Sequence, residues 1–326
     1  MSVDAIRDAA SRIASIAYRT PLVRAAFPGI SGRGEPRGIW LKAESLQPIG
    51  AFKIRGAANK ILQLNPEEIA RGVIAYSSGN HAQGVAYAAR EVGAKAVIVM
   101  PSNATAIKRA ATLALGAEIV TVGLGSNERR EVTEKLIAEH GYVVVPPYDD
   151  EQIIAGQGTC GLEILEDLPD VDLVVVPVSG GGLLSGIAAA VKRMKPGCRV
   201  FGVEPELAGD AVESFRTGQR VEWDAELTSR TIADGLRTQS VGVRNFAHIR
   251  ALVDGIVTVT EAEIRAAMRA IVSTTRLLPE PSGAVATAAL LFHAHDLPAC
   301  RKAVAVVSGG NVDPGLLAEV LTENAV

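Results

Sequence analysis

Leu173-Val174-Val175-Val176-Pro177-Val178-Ser179-Gly180-Gly181-Gly182-Leu183 is an apolar, largely β-branched run that ends in three glycines and then turns helical. A run of this length has the size of a strand buried on both faces, and Leu183–Arg193 after it reads as an Ala-rich helix. The same alternation spreads outward in both directions. Strands are predicted over Gly38–Lys42, Val73–Tyr76, Ala96–Met100, Glu118–Val122, Val143–Val145, Val200–Val203, Ile256–Val259 and Ala303–Val307. Helices are predicted over Gln83–Val92, Ala104–Leu115, Arg129–His140 and Glu261–Thr274. The last of these carries Thr260 as N-cap and Glu263 three residues on, a capping-box pattern. Continuous Val/Ile runs between helices predict an α/β chain with largely parallel sheets covered on both faces. There is no internal repeat and no Gly/Pro/Ser-rich linker, so a second domain is expected as an insertion and not as a tandem unit.

The chain has 326 residues, enough for two domains or one large α/β unit, and a formal charge of -3. It has no basic stripe, which argues against nucleic acid as a partner, and no apolar stretch of membrane-spanning length. Asp4, Arg7, Asp8 and Arg12 fall on a helical pattern where a signal peptide would be apolar. Cys160, Cys198 and Cys300 are odd in number and far apart, which predicts reduced, buried thiols of a cytoplasmic protein and no disulfide or zinc framework.

Four segments carry chemistry. In Ser45-Leu46-Gln47-Pro48-Ile49-Gly50-Ala51-Phe52-Lys53-Ile54-Arg55-Gly56-Ala57, Lys53 is a candidate nucleophilic amine. Such an amine must be free near neutral pH, which needs desolvation or a nearby cation, and Arg55 is a candidate for the cation. Ser179-Gly180-Gly181-Gly182-Leu183 opens a helix after a strand, where bare backbone N–H groups and the helix dipole suit a phosphate. Gly180-x-Gly182-x-x-Ser185, with Glu204 at the end of the next strand, also mimics a dinucleotide fingerprint, although Ser185 stands at its third glycine. Ser77-Ser78-Gly79-Asn80-His81 and Ser308-Gly309-Gly310-Asn311 each follow a strand; a helix cap and a plain loop would account for them equally well.

Together and in this order, the four segments resemble the serine/threonine dehydratase and serine racemase branch of the fold-type II, tryptophan-synthase-β-like, pyridoxal-phosphate (PLP) enzymes. The resemblance runs from Thr20-Pro21-Leu22 to Asp313. It implies two open, twisted, mostly parallel sheets flanked by helices. It also implies a small domain of residues 54–145 set into a large PLP-binding domain of residues 1–53 and 146–326.

The resemblance assigns roles to residues. Lys53 is the Schiff-base lysine and Phe52 lies close to the cofactor. Asn80 binds the 3′-oxygen, Ser179, Gly180, Gly181, Gly182 and Leu183 hold the phosphate, and Ser308 bonds the pyridine nitrogen. Gly235 packs on the ring face. Glu280 is a carboxylate near the cofactor, although a helix start before Pro281 explains it as well. Ser77, Ser78, Gly79, Asn80 and His81 form the substrate-carboxylate loop, with His81 more structural than catalytic. Glu204-Pro205-Glu206-Leu207-Ala208-Gly209-Asp210 resembles a divalent-cation site made by Glu204, Ala208 and Asp210 for Mg²⁺ or Ca²⁺. Solvated acidic residues after a strand are the plain alternative.

A serine at 308 leaves the pyridine without a charged partner, which weakens it as an electron sink and suits elimination. The implied activity is a PLP-dependent ammonia-lyase acting on a β-hydroxy amino acid such as L-threonine or L-serine. Ser78 supplies a second acid/base opposite Lys53, so serine or aspartate racemisation and 3-hydroxyaspartate dehydration stay open. A β-replacement synthase and a non-catalytic binding protein are weaker alternatives. A homo-oligomer acting on a small amino acid is expected, without the C-terminal regulatory domain of feedback-inhibited relatives. Tyr76 and Arg129 or Arg130 are candidates for the distal substrate pocket.

Overall fold

The structure is a computed structural model and describes residues 1–27, 38–77, 79–102, 104, 106–123 and 126–323. Its strands are β1 (Leu22–Ala25), β2 (Gly38–Ala43), β3 (Val73–Tyr76), β4 (Ala96–Pro101), β5 (Glu118–Val122), β6 (Val143–Val144), β7 (Leu173–Pro177), β8 (Arg199–Pro205), β9 (Gly255–Val259) and β10 (Lys302–Val307). They form a six-stranded sheet, order β1-β2-β10-β7-β8-β9, and a four-stranded sheet, order β5-β4-β3-β6. Every pairing is parallel except β1 with β2. The predicted strands are all present, with ends shifted by a residue or two; β1 is an addition. It is short, half-exposed and interrupted by Arg24, so its pattern carries little signal.

The four-stranded sheet is built wholly from residues 73–144, between the two stretches that make the larger sheet. Strands β4, β7 and β10 are buried almost throughout, as strands covered by helices on both faces must be. One apolar core runs from β2, β7 and β10 to the helices Glu261–Thr275 and Pro281–Phe292, and a second joins the helices Lys53–Ile61 and Asn80–Glu91 to β3 and β4. The predicted capping box is formed: Thr260 accepts from the Glu263 N–H and the Glu263 side chain accepts from the Thr260 N–H.

Helices Glu151–Asp167 and Gly182–Met194 touch backbone to backbone. A Cβ on Gly186 would lie 2.5 Å from both Gly158 N and Ile154 O, so this crossing admits only glycine. The close-packing glycine is thus Gly186, one residue beyond the Ser185 of the dinucleotide-like spacing, whose hydroxyl instead donates to the Asn245 carbonyl at 3.2 Å.

A buried ion cluster joins the two ends of this frame. Arg55 reaches both Glu44 oxygens at 2.7 and 2.8 Å and both Glu163 oxygens at 2.6 and 2.8 Å. Lys42 adds a bond to Glu163 at 2.6 Å, and Thr20 donates to Glu44 at 2.5 Å. Lys42, Glu44 and Arg55 are fully buried. Burial opposes ionisation of Glu44, but its pairing with Arg55 outweighs that and holds the carboxyl below its ordinary range. Arg55 is therefore committed elsewhere and is not the cation expected to tune Lys53.

Candidate active site

Lys53 opens the helix Lys53–Ile61, directly after a bridge between Ala51 and Gly309. The Phe52 N–H donates to the Ser308 carbonyl at 3.0 Å, so the lysine segment is stitched to the loop beyond β10. The Lys53 ammonium donates to the Pro147 carbonyl at 2.7 Å and lies 5.2 Å from the Phe52 ring centre. Desolvation lowers its pKa to about 8, which brings a neutral amine within reach near neutral pH. Burial alone does this; no neighbouring cation is involved.

The helix predicted from Gln83 begins earlier, at Asn80, so Asn80 and His81 form its first turn and Gly79 its N-cap. The Asn80 side chain donates to Glu280 Oε1 at 2.7 Å and accepts from the Asn311 amide at 2.8 Å. Asn80, Glu280 and Asn311 thus form one chain of hydrogen bonds across the two sheets. Glu280 is both the N-cap residue of helix Pro281–Phe292 and part of this chain, so the two readings of it are compatible. Burial, helped by the charge of Asp234, lifts the Glu280 carboxyl to about 7, and its Oε2 has no hydrogen-bond partner among the described residues.

His81 is buried and its Nε2 lies 2.8 Å from the Val145 carbonyl. Because that carbonyl only accepts, Nε2 carries the hydrogen. Burial and then the Lys53 charge press the imidazole down to about 3, so it stays neutral. A neutral imidazole held by a backbone carbonyl beside Lys53 is not poised to act as a proton carrier near neutral pH. Ser77 and Gly79 flank it; Ser78, the expected second acid/base, lies outside the described residues.

The glycine loop follows β7. Gly181 takes a φ of 91°, a left-handed conformation that glycine accepts without strain, and it caps helix Gly182–Met194. Backbone N–H groups at a helix start in such a turn suit a phosphate. The Gly180 carbonyl accepts from Gly242 N–H at 3.0 Å and from the Asn245 amide at 2.6 Å, which fixes the loop. The Tyr148 ring rests against Gly180, where a Cβ would collide with it. The Ser179 hydroxyl is 2.6 Å from the Thr238 hydroxyl, so it anchors a neighbouring loop in addition to the ligand role foreseen for it.

Ser308 is buried and donates weakly to the Ser282 carbonyl at 3.4 Å. Gly235 N–H donates to the Ser282 hydroxyl at 2.9 Å, so Gly235, Ser282 and Ser308 share one corner. Leu183, next to the glycines, is buried in the apolar core.

Glu204 is the penultimate residue of β8 and Asp210 begins the helix Asp210–Thr217, with Ala208 on the single turn between them. Both carboxylates are fully buried, which excludes the solvated alternative. Glu204 Oε2 accepts from Val212 N–H at 2.9 Å, but Glu204 Oε1 and both Asp210 oxygens have no hydrogen-bond partner among the described residues. Burial raises both pKa values, that of Asp210 to about 7, and Asp210 raises Glu204 further. Orphaned buried carboxylates of this kind fit a hard cation.

A cavity of about 200 Å³ adjoins this region, lined by Tyr76, Pro147, Tyr148, Asp149, Arg220 and Ser240 among others. Tyr148 and Arg220 were not singled out from the sequence, since neither sits in a recognisable motif. Arg130 instead lies exposed on the helix Ser126–His140, 3.9 Å from Glu134, and the Arg129 side chain is outside the described residues. Cys160 and Cys198 are free and buried, whereas Cys300 is only half-buried, because it precedes the edge of β10.

Lys53 and Asn80 at two helix starts, Ser308 just past β10 and a glycine-rich helix start after β7 make an arrangement suited to a phosphate-bearing cofactor. Comparison with known proteins agrees: the family described as pyridoxal-phosphate dependent enzyme matches residues 13–309, and the chain belongs to it. The chain is 41% identical over 308 residues to the L-threo-3-hydroxyaspartate ammonia-lyase of Saccharomyces cerevisiae, covering 94% of this chain and 92% of the relative. The solved threonine deaminase from T.th. is 42% identical, with a TM-score of 0.88 over 96% of this chain and 99% of that one. Maize serine racemase is 37% identical, with a TM-score of 0.90 over 98% and 96% of the two chains. No helix among the described residues is long and apolar enough to cross a membrane.

Proposed function

We propose that this protein is a PLP-dependent ammonia-lyase that removes water from a β-hydroxy amino acid and releases a 2-oxo acid and ammonia. The observation that carries the reading is the pairing of a desolvated Lys53 with a neutral Ser308, held together by the Phe52–Ser308 backbone bond at 3.0 Å. The activities of the ammonia-lyase, deaminase and racemase relatives point the same way.

When bound, PLP supplies an electron-withdrawing ring that acidifies the hydrogen on the substrate α-carbon. Lys53 would hold the cofactor covalently and, once displaced by the substrate amine, its Nζ would take the α-proton as general base. The N–H groups of Gly180, Gly181, Gly182 and Leu183, with Ser179, would hold the phosphate. Ser308 would turn its hydroxyl from the Ser282 carbonyl to the pyridine nitrogen and would offer a hydrogen bond but no charge, which suits loss of a β-leaving group. The β-hydroxyl would depart as water by taking a proton from the protonated Lys53 Nζ or from the phosphate. The enamine that remains hydrolyses to the 2-oxo acid and ammonia. Ser77, Ser78, Gly79, Asn80 and His81 take the substrate carboxylate at the start of helix Asn80–Glu91, where the helix dipole favours an anion. Asn80, whose amide already donates one hydrogen to Glu280, would bond the 3′-oxygen, and Phe52, Gly235 and Glu280 would lie near the ring.

Three further parts complete the reading. Glu204, Ala208 and Asp210 hold Mg²⁺ or Ca²⁺, supported by the orphaned carboxylate oxygens of Glu204 and Asp210. Residues 54–145 form a small domain inserted in a larger one, and the protein acts as a homo-oligomer. Free thiols at Cys160, Cys198 and Cys300 support a cytoplasmic setting. A racemase reading is favoured by Ser78 and by the maize relative, with Ser78 as the acid on the face opposite Lys53.

The test is release of 2-oxo acid from serine, threonine and 3-hydroxyaspartate by the PLP-loaded protein, with chiral analysis of the remaining amino acid. Oxo acid from at least one of them is the expected result. Inversion without release supports the racemase reading, and neither activity on any of them refutes both.

A further inference from the structure

Helix Pro281–Phe292 ends at His293, whose N–H closes its last turn on Ala289. The chain then folds back tightly, with the Asp296 N–H donating to the His293 carbonyl at 3.0 Å. This turn brings His293 Nδ1 to 3.1 Å and His295 Nε2 to 3.2 Å from the same oxygen, Asp296 Oδ2. The three donor atoms lie within 4.8 Å of one another. Around a tetrahedral ion with bonds of about 2.0–2.1 Å, neighbouring donors stand roughly 3.3 Å apart. The two short edges of this triangle are therefore already those of a coordination shell.

We propose that His293, His295 and Asp296 form a surface site for a divalent ion of the zinc class, oriented by Glu263. The second observation is the far side of the His293 ring. Its Nε2 lies 3.0 Å from Glu263 Oε2, and Glu263 is itself fixed, since the same oxygen accepts from the Thr260 N–H at 2.8 Å. A carboxylate on one nitrogen places the hydrogen there and leaves the other nitrogen's lone pair free. That lone pair, on Nδ1, faces Asp296 and His295. Two imidazoles with one carboxylate select Zn²⁺, Ni²⁺ or Cu²⁺ over Mg²⁺ or Ca²⁺, the opposite preference from the all-oxygen pair at Glu204 and Asp210. The half-exposed Asp296 and the 76% exposed His295 side chain leave a fourth position for water.

The site is separate from the candidate active site. It lies at the far end of the 12-residue helix whose N-cap is Glu280, about 18 Å along the axis at 1.5 Å per residue. An ion bound there ties residues 293–296 to the start of helix Glu261–Thr275 through Glu263. It stabilises the native fold by mass action and needs no part of the catalytic reading.

The test is calorimetric titration of the PLP-loaded, chelator-stripped protein with Zn²⁺, with excess Mg²⁺ present to fill the Glu204–Asp210 pair. One saturable Zn²⁺ per chain is expected, absent in His295→Ala and in Asp296→Asn. Glu263→Gln is expected to weaken it by about tenfold or more. His295 is exposed, so its variant keeps the fold. An isotherm that is the same for the parent and His295→Ala overturns the proposal, and so does a parent without saturable binding.

Discussion

The two unpartnered carboxylates at Glu204 and Asp210 make a quantitative prediction through Asp210→Asn. Folding lifts the Asp210 carboxyl from 3.8 to about 7 by burial. The folded chain then keeps a proton that the unfolded chain has released, so stability is full below about pH 4 and falls as pH rises toward 7. Three pKa units at 1.36 kcal/mol each put the loss at roughly 4 kcal/mol, about 3 of it between pH 5 and pH 8. A divalent ion reverses the sign, because it favours the ionised carboxylates. The assay is urea denaturation of the PLP-loaded protein at about pH 5 and pH 8. It is run with chelator and with Mg²⁺ or Ca²⁺, on parent and Asp210→Asn. Under chelator the parent loses stability on going to pH 8, and Asp210→Asn loses less by the Asp210 share while keeping the loss that the raised Glu204 carboxyl contributes. Added cation restores the parent at pH 8 and leaves the variant unchanged. A parent indifferent to both pH and cation, with a variant no more stable than it under chelator, would refute the reasoning.

Lys53→Ala removes both the covalent anchor and the base, so the yellow colour of lysine-bound PLP and turnover, by at least about 10²–10⁴-fold, should be lost together; normal oxo-acid release by this variant overturns the assignment. Ser78→Ala should suppress racemisation, or turnover of the opposite stereoisomer, by about 10²-fold while sparing elimination driven by Lys53. Equal loss of every activity in a folded, PLP-loaded variant contradicts that division. Gly186→Ala pushes a methyl group into the Gly158 and Ile154 backbone and should cost about 1–3 kcal/mol, read as a lower melting temperature. An unchanged melting temperature would mean that the helix crossing relaxes freely.

What the sequence made legible was local. Strand runs, the Thr260–Glu263 box and the glycine turn are each written within a few neighbouring residues, and the structure forms all three. The unread parts are contacts over long separations. Arg55 looked like a neighbour able to tune Lys53, but its side chain leaves that surface for Glu44 and for Glu163, 108 residues on. The bond from Asn80 to Glu280 spans 200 residues, and nothing in either segment names the other. Likewise, the acidic run at 204–210 is consistent with solvated side chains until β8 and the next helix are seen to bury Glu204 and Asp210 and to leave only Glu206 exposed. Strand β1 went unseen because four edge residues, of which only Ala25 is buried, give no periodicity to count.

The stitching of Phe52 to Ser308, and of Ile49 and Asn80 to Asn311, has a consequence for biosynthesis. A ribosome delivers Lys53 early, but the residues that position it arrive only with the last strand. Until then the lysine has no fixed partners from that loop, and contacts this distant in sequence are slow to close. Colour from bound PLP should therefore appear only once nearly the whole chain has been made. In a translation reaction arrested at successive lengths, uptake of the vitamin-derived group would serve as a clock for the completion of synthesis.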